Sequence, residues 1–404
     1  MNAKLNSLIF TSLSHFSVDG NFLLFPVLLT YFSGIRGISV FVIGLMPVLY
    51  NLISGFLSVY VGSYADRVDR DAFILMSGLL LNGLAAFVFS LPFLYHADAY
   101  EFMILGSVFL GVGQSIYHPI GATILSHTFG PRESASYMGI NGSFGSLGRS
   151  AFPPMVVFMA GFVGIVLGLQ FIVIYFVMAA VLIFLGLKFF KRKDYGYSLP
   201  TKQKTPAKET QLEGSIPFFL IMLVVLVFLR SMFISVTTTW IPTYLDGIFN
   251  SKHLMATVLG IAFLAPVLGQ PFFGYMTSRL GGKFTISLTS VGLVVFFVLF
   301  LYFSRSFAII LVSYTLFAFF AYTGFPVLMG YVSQTVPKEH STRANALVWG
   351  VGSTIGGSIG LMVFDGLRLF TSMFISFTVM LVFAIFSVLL LIYLPGKEKL
   401  GTSQ

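Results

Sequence analysis

Runs of roughly twenty or more apolar residues recur along the whole chain, separated by short polar turns. A hydrocarbon core takes about 20 apolar residues per helical crossing, so each run reads as a membrane span. Twelve spans are predicted, at residues 6–32, 38–62, 71–95, 101–127, 136–160, 163–187, 217–245, 254–276, 284–304, 307–332, 343–364 and 371–394. They use nearly all of the 404 residues and leave no room for a soluble domain. Only 9% of residues are charged, against roughly a quarter in soluble domains, which agrees with that count. The first run is too long for a signal-peptide core and lacks a small-residue cleavage site, so it reads as the first span. The absence of cysteine excludes a disulfide framework and thiolate metal sites.

A net charge of +9 would suit nucleic acid if it formed a patch, but the basic residues sit in short loops between apolar runs. No nucleic-acid partner is expected. With both termini on the cytoplasmic side, 17 Lys and Arg fall in inward loops and 4 in outward loops, the latter Arg36, Lys252, Arg305 and Arg368. The positive-inside bias therefore predicts an even span count and cytoplasmic ends, in a plasma-membrane protein. The longest polar stretch divides the chain into an N-terminal six-helix bundle (1–187), a solvated cytoplasmic linker (188–216) and a C-terminal six-helix bundle with a short tail (217–404). The basic residues of that linker are expected to touch anionic headgroups.

The two halves echo each other. Gly62 to Arg70 after span 2 parallels Gly274 to Lys283 after span 8, offset by 212. His118-Pro119 pairs with Phe325-Pro326, each in a proline-containing turn expected to end spans 4 and 10. Pro131-Arg132-Glu133 pairs with Pro337-Lys338-Glu339, and glycine-rich runs follow in spans 5 and 11. Such a repeat implies two similar bundles meeting at a midplane site. The glycines are expected to let helices approach and slide; they follow no strand, so a nucleotide-binding loop is excluded.

The run Gly62-x-x-x-Asp66-Arg67-x-x-Arg70 resembles the signature loop of the major facilitator superfamily, with Asp69 where that family usually has glycine. The resemblance covers the whole chain and implies an all-α integral membrane fold of twelve helices in two pseudo-symmetric bundles, acting as a monomer. It also implies that Gly62, Asp66, Arg67 and Arg70 form a conformational latch on the cytoplasmic side. Physically, Gly62 permits close helix approach, and Asp66 would suit the positive end of another helix. The bland alternative is a solvated turn. A narrower similarity, to the fosmidomycin-resistance branch, rests on Ser12-Leu-Ser-His15-x-x-x-Asp19, Tyr117-His118-Pro119, the run through Gly142, Gly145 and Gly148, and Arg230 in span 7. It implies export of small antimicrobial compounds. Arg149 stands where antiporter-type sequences have proline after the glycine, and Ser107 where many carry an arginine in span 4.

Ionisable groups at bilayer depth are costly, so they mark function. Five sit well inside spans: His15, Asp19, His118, Arg149 and Arg230, with Asp19 the only acid among them. His15 lies one turn from Asp19 on the same helical face. Asp19, relayed by His15 or His118, is the candidate proton carrier; Arg149, Arg230, Asp19 and Tyr117 are candidate substrate ligands. One aspartate cannot neutralise two arginines, and the surplus suits a carboxylate or phosphate. Each also has a structural alternative: a permanent ion pair for Asp19, backbone capping for either arginine, a simple hydrogen bond for either histidine.

The expected function is secondary transport of a small molecule, proton-coupled and by alternating access, with no cofactor and no metal. Protonating Asp19 would free an arginine for an anion, which favours co-movement of proton and anion, as in uptake of an organic acid or phosphorylated metabolite, or anion exchange. The family similarity favours efflux instead. A cation or neutral drug exchanged for protons, a passive channel, and an intramembrane enzyme using His15, Asp19 and His118 are the other classes. The enzyme lacks any HExxH motif or matched nucleophile and base.

Overall fold

The computed structural model describes residues 3–195, 218–304, 306–336, 344–345 and 347–396. The N-terminal half contains α1 (Ala3–Phe22), α2 (Leu24–Phe32), α3 (Val40–Val68), α4 (Asp71–Ser90), α5 (Ala99–Val163) and α6 (Ile165–Leu187). The C-terminal half contains α7 (Phe218–Phe249), α8 (Lys252–Leu280), α9 (Gly282–Phe303), α10 (Phe307–Ala321), α11 (Gly324–Thr335), a π-helical stretch (Leu347–Ile355), α12 (Gly356–Leu367) and α13 (Met373–Leu389). Eleven helical segments among the described residues are long and apolar enough to cross a membrane. The first span, shared by α1 and α2, makes twelve. Most of the predicted linker, with Lys202, Lys204 and Lys208, lies outside the described residues, as do Arg305, Lys338, Arg343, Lys397 and Lys399.

Proline accounts for two departures from continuous helix. Pro26 has no N–H, so the carbonyl four residues back, on Phe22, loses its helical donor, and the first span breaks at Leu23. Pro326 does the same to Tyr322, where α10 ends. That freed carbonyl accepts a hydrogen bond from Gln270 Nε2 of α8 at 3.0 Å. Neither proline ends its span in a turn, contrary to expectation: Pro119 lies within α5, and Pro326 in the first turn of α11. Spans 4 and 5 follow one another through α5, whose only non-helical backbone is at Gly130 (φ 72°).

The duplication is visible in packing. A Cβ on Gly62 would lie 3.7 Å from Pro119 Cβ, and one on Gly274 would lie 3.7 Å from Pro326 Cβ. Asp69 and Gly281, related by the same offset, both take positive φ (47° and 92°). This explains why glycine suits the position that Asp69 occupies. Gly148 presses span 5 onto the Phe16 carbonyl of α1, and Gly360 presses α12 onto the Met232 backbone of α7. Gly148→Val would drive a branched side chain into backbone that cannot give way. A loss of stability at or above the ~1–3 kcal/mol of ordinary overpacking is expected. The thermal midpoint in detergent should fall, and an unchanged midpoint would show that the two helices can separate freely.

Spans 1 to 6 pack mainly on one another, and 7 to 12 likewise, but several contacts join the halves. Lys252 Nζ donates to the Thr30 carbonyl (3.1 Å), Ser150 Oγ to the Gly260 carbonyl (2.5 Å) and Ser143 Oγ to the Val267 carbonyl (2.9 Å). Gly44 abuts Asp365, Gly55 abuts Thr354, and Gly161 approaches His253. These positions run from mid-helix to the face away from the termini, where the seam is closed.

Candidate transport site

Four of the five intramembrane charges converge. Arg149 Nη2 lies 2.9 Å from Asp19 Oδ2, and His15 Nε2 lies 3.3 Å from the same oxygen. His118 Nε2 approaches the other oxygen at 3.7 Å. Side-chain exposure rises from 6% for Asp19 through 13% for His15 and 25% for Arg149 to 59% for His118. The carboxylate is therefore the floor of a cleft whose open side is lined by His118 and Arg149. Span 1 can present so polar a face because its buried residues include Ser7, Thr11, Ser12, Ser14, Ser17 and Asn21. Gly145 is required beside it: a Cβ there would stand 2.5 Å from His15 Nε2 and 2.7 Å from Asp19 Oδ2.

A residue that sequence inspection passed over sets the proton bookkeeping. Asn141 Oδ1 lies 2.7 Å from both Tyr117 Oη and His15 Nδ1. Its Nδ2 faces the hydroxyls of Thr11 and Ser12 at 3.3 and 3.4 Å, which fixes the amide orientation. A carbonyl oxygen only accepts, so His15 Nδ1 must carry hydrogen. His15 Nε2 then faces the Asp19 carboxylate either bare or as an imidazolium. A favourable contact between them needs one proton, on the ring or on the acid. Tyr117 holds this geometry from below, its ring centroid 4.7 Å from that of His15.

The C-terminal half faces this cluster with polar groups that carry no charge. Gln270 Oε1 points at Gly142, 3.9 Å from where a Cβ would sit. The Tyr322 hydroxyl accepts from Thr238 Oγ1 at 3.1 Å and is within electrostatic reach of Arg149. Arg230 does not join the cluster. It is 2% exposed within its own half, with Nη2 donating to the Phe320 carbonyl at 3.2 Å and Nη1 3.5 Å from Thr289 Oγ1. Its Nε is without a partner, and among the described residues no carboxylate pairs with it. Position along span 7 does not give the side to which it points.

His15, Asp19 and His118 offer donor atoms within 4.8 Å of one another, a spacing that suits a metal ion. The Arg149 guanidinium already occupies the shared carboxylate, and its charge opposes a second cation there. The set suits protons better than a resident metal.

At the terminus-bearing ends the signature loop also differs from expectation. Asp66 pairs with the Arg192 guanidinium, at the end of span 6, rather than with a helix N-terminus. Asp71 binds the same guanidinium through two bonds, 2.9 Å from Nε and 2.5 Å from Nη2, and Asp69 Oδ1 accepts from the Arg192 backbone N–H at 2.7 Å. Arg192, expected in solvent as part of the linker, is 1% exposed. Arg67 and Arg70 remain exposed. All of these contacts stay within the N-terminal half. Asp19 is not the only buried acid: Asp365, near the end of α12, is 1% exposed, and Asp71, at the start of α4, is fully buried.

A sequence profile of the Major Facilitator Superfamily matches residues 11–250 and 223–404. The chain belongs to the major facilitator superfamily. Solved structures with this fold include the peptide transporter POT as a mutant bound to alafosfalin, with 17% identity, TM-score 0.69, and coverage of 95% of this chain and 93% of that one. The same mutant without that ligand gives 16%, 0.72, 95% and 93%, and POT with sulfate gives 16%, 0.70, 96% and 93%. No curated protein matches the chain. As a member of the superfamily the chain is a multi-pass membrane protein and a secondary transporter. At such low identity the POT structures show the fold alone.

Proposed function

We propose that this facilitator is a proton-coupled transporter of a small organic anion, working by alternating access in the plasma membrane with both termini cytoplasmic. The reading rests on the proton required between His15 and Asp19, at the floor of a cleft and beside an arginine held by the same carboxylate. Protonating Asp19 releases Arg149, whose planar fork suits a carboxylate or phosphate. Proton and anion then bind together, with Tyr117 and Asn141 keeping His15 in position. His118, more exposed, is the relay to the cleft. Arg230 contributes to substrate binding through the long-range field of an uncompensated guanidinium in the opposite half.

Co-movement of proton and anion is the direction of coupling that this geometry favours. Export against a proton gradient is the second reading, supported by the similarity of the Ser12–Asp19 run and of Tyr117-His118 to drug exporters. In either case the halves 1–187 and 217–404 rock about the site, joined by the 188–216 linker. The test uses purified protein in liposomes under an imposed pH gradient, with a panel of organic anions and cationic drugs. Anion-dependent proton flux should be present in wild type and absent in Asp19→Asn, with its sign separating symport from exchange. Proton-coupled flux that survives in Asp19→Asn removes Asp19 as the proton site.

A further inference from the structure

Asp365 lies where the two halves close against each other, at the end of α12 and far from the Asp19 cluster along the chain. Gly44 of α3, in the opposite half, seals it: a Cβ there would stand 2.6 Å from both carboxylate oxygens. Neither oxygen has a hydrogen-bond partner among the described residues. Trp240 of α7 faces the carboxyl without completing a hydrogen bond, and its ring carries the Arg368 guanidinium at 4.7 Å. Arg368 leaves Nε and Nη1 without partners. These groups border a cavity of about 270 Å³ that Ser39 and Leu369 line at its exposed rim.

An acid and a base one turn apart would ordinarily pair. Here each is unmatched: the base stacks on an indole, and the acid is pressed under a glycine of the other half. A carboxylate sealed without donors is far more costly than a neutral carboxyl in the same place. Separation of the halves would remove Gly44, admit water to Asp365 and let Arg368 approach it. The closed seam and the open seam therefore differ in their affinity for one proton.

We propose that Asp365 is a second proton-binding site of this transporter, whose protonation from the solvent on the face away from the termini closes the seam between Gly44 and α12. The charged group that faces Asp365 is Arg368, on its own chain end. Against it, α3 presents Gly44 and α7 presents Trp240. On α7, Arg230 and Asp246 lie ten residues before and six after Trp240, about 15 and 9 Å along the helix, and Asp246 is held by Lys252 at 2.7 Å. The π-helical stretch and α13 carry no charged residue.

The chain has no cysteine, so Ser39→Cys and Leu369→Cys can carry spin labels across the seam. Distances would be measured in nanodiscs across a pH series. By linkage, one proton raises the closed-to-open ratio by up to about tenfold per unit fall in pH. The expected result is a closed population that grows as pH falls, a seam closed at every pH in Asp365→Asn, and retained pH dependence in Asp19→Asn. Gly44→Ala should shift the population toward open, and it tests the seal should Asp365→Asn fold poorly. A wild-type distance independent of pH, a wild-type pH response in Asp365→Asn, or an unshifted population in Gly44→Ala would overturn the proposal. Loss of the response in Asp19→Asn would also overturn it, by assigning the switch to the other acid. The proton-flux test of Asp19 is a separate measurement, so either site can fail alone.

Discussion

Arg149→Ala is expected to reduce proton-coupled transport about 100-fold or more while leaving the protein folded. Arg149 is the one arginine or lysine at hydrogen-bond distance from the Asp19 carboxylate among the described residues, 2.9 Å from Oδ2. Loss of the guanidinium removes the proposed anion ligand, and a 100-fold fall in rate corresponds to about 2.8 kcal/mol of lost interaction. The remaining carboxylate would repel an incoming anion at the point where the guanidinium is proposed to receive it. Initial rates in liposomes should show both a lower maximum and a higher half-saturation concentration. Arg149→Lys keeps the charge but loses the planar fork, so it should fall between. Arg230→Ala is expected to cost less, because it removes a buried charge that has no carboxylate to orphan among the described residues. Near-wild-type transport in Arg149→Ala would make its pair with Asp19 a structural tie and return the anion site to Arg230.

Asp19 and Arg149 share one carboxylate with His15, so their effects should not add. Asp19→Asn with Arg149→Ala together should lose little more than the worse single variant. An additive loss would mean that the two residues act at separate steps. The exposure gradient from Asp19 to His118 points to how the site fills: water and substrate meet His118 and Arg149 before they meet the acid. On the proposed mechanism, a substrate anion would displace the carboxylate from the guanidinium rather than reach it from behind.

Twelve crossings were legible because lipid leaves the backbone only one economical solution, and the apolar runs record it directly. The charges at His15, Asp19, His118 and Arg149 were legible for the same reason, since each is too costly to be placed there idly. Asn141 was not, because a neutral amide among serines and glycines carries no such penalty and gives no signal. Arg192 was read as solvated because sequence alone does not distinguish a basic residue beyond a span end from one folded back onto three aspartates. Asp365 falls one residue beyond the predicted end of span 11, at 364, so its place inside the closed seam is not legible from span position. Arg230 shows the limit of helical position as a guide: the azimuth that would turn it toward Asp19 is set by tertiary packing, which instead places it against the Phe320 carbonyl and Thr289. The breaks just after Phe22 and at Tyr322 follow from Pro26 and Pro326, because the carbonyls four residues back, on Phe22 and Tyr322, lose their helical donors. The donation of Gln270 to the freed Tyr322 carbonyl does not, because it joins residues 52 apart.

Arg192→Ala should be the most destabilising single change outside the transport site. Asp71 is fully buried and owes its two charge-assisted bonds to that guanidinium, whereas Asp66 is 49% exposed and can turn to solvent. The loss should therefore follow Asp71, at about 3–5 kcal/mol, with a lower thermal midpoint in detergent. Arg192→Ala with Asp71→Asn removes the orphaned charge and should recover most of the loss, while Arg67→Ala and Arg70→Ala, both exposed, should stay within about 0.5 kcal/mol of wild type. A double variant no better than the single would place the energy in the Asp69 bond to the Arg192 backbone or in packing of the arginine stem. Recovery would carry a functional consequence. The signature loop would then be a clasp that ties span 6 to the start of span 3 inside one half, and Asp66, the one acid of the three with solvent access, would be the member free to exchange partners when the halves close on the terminus-bearing side.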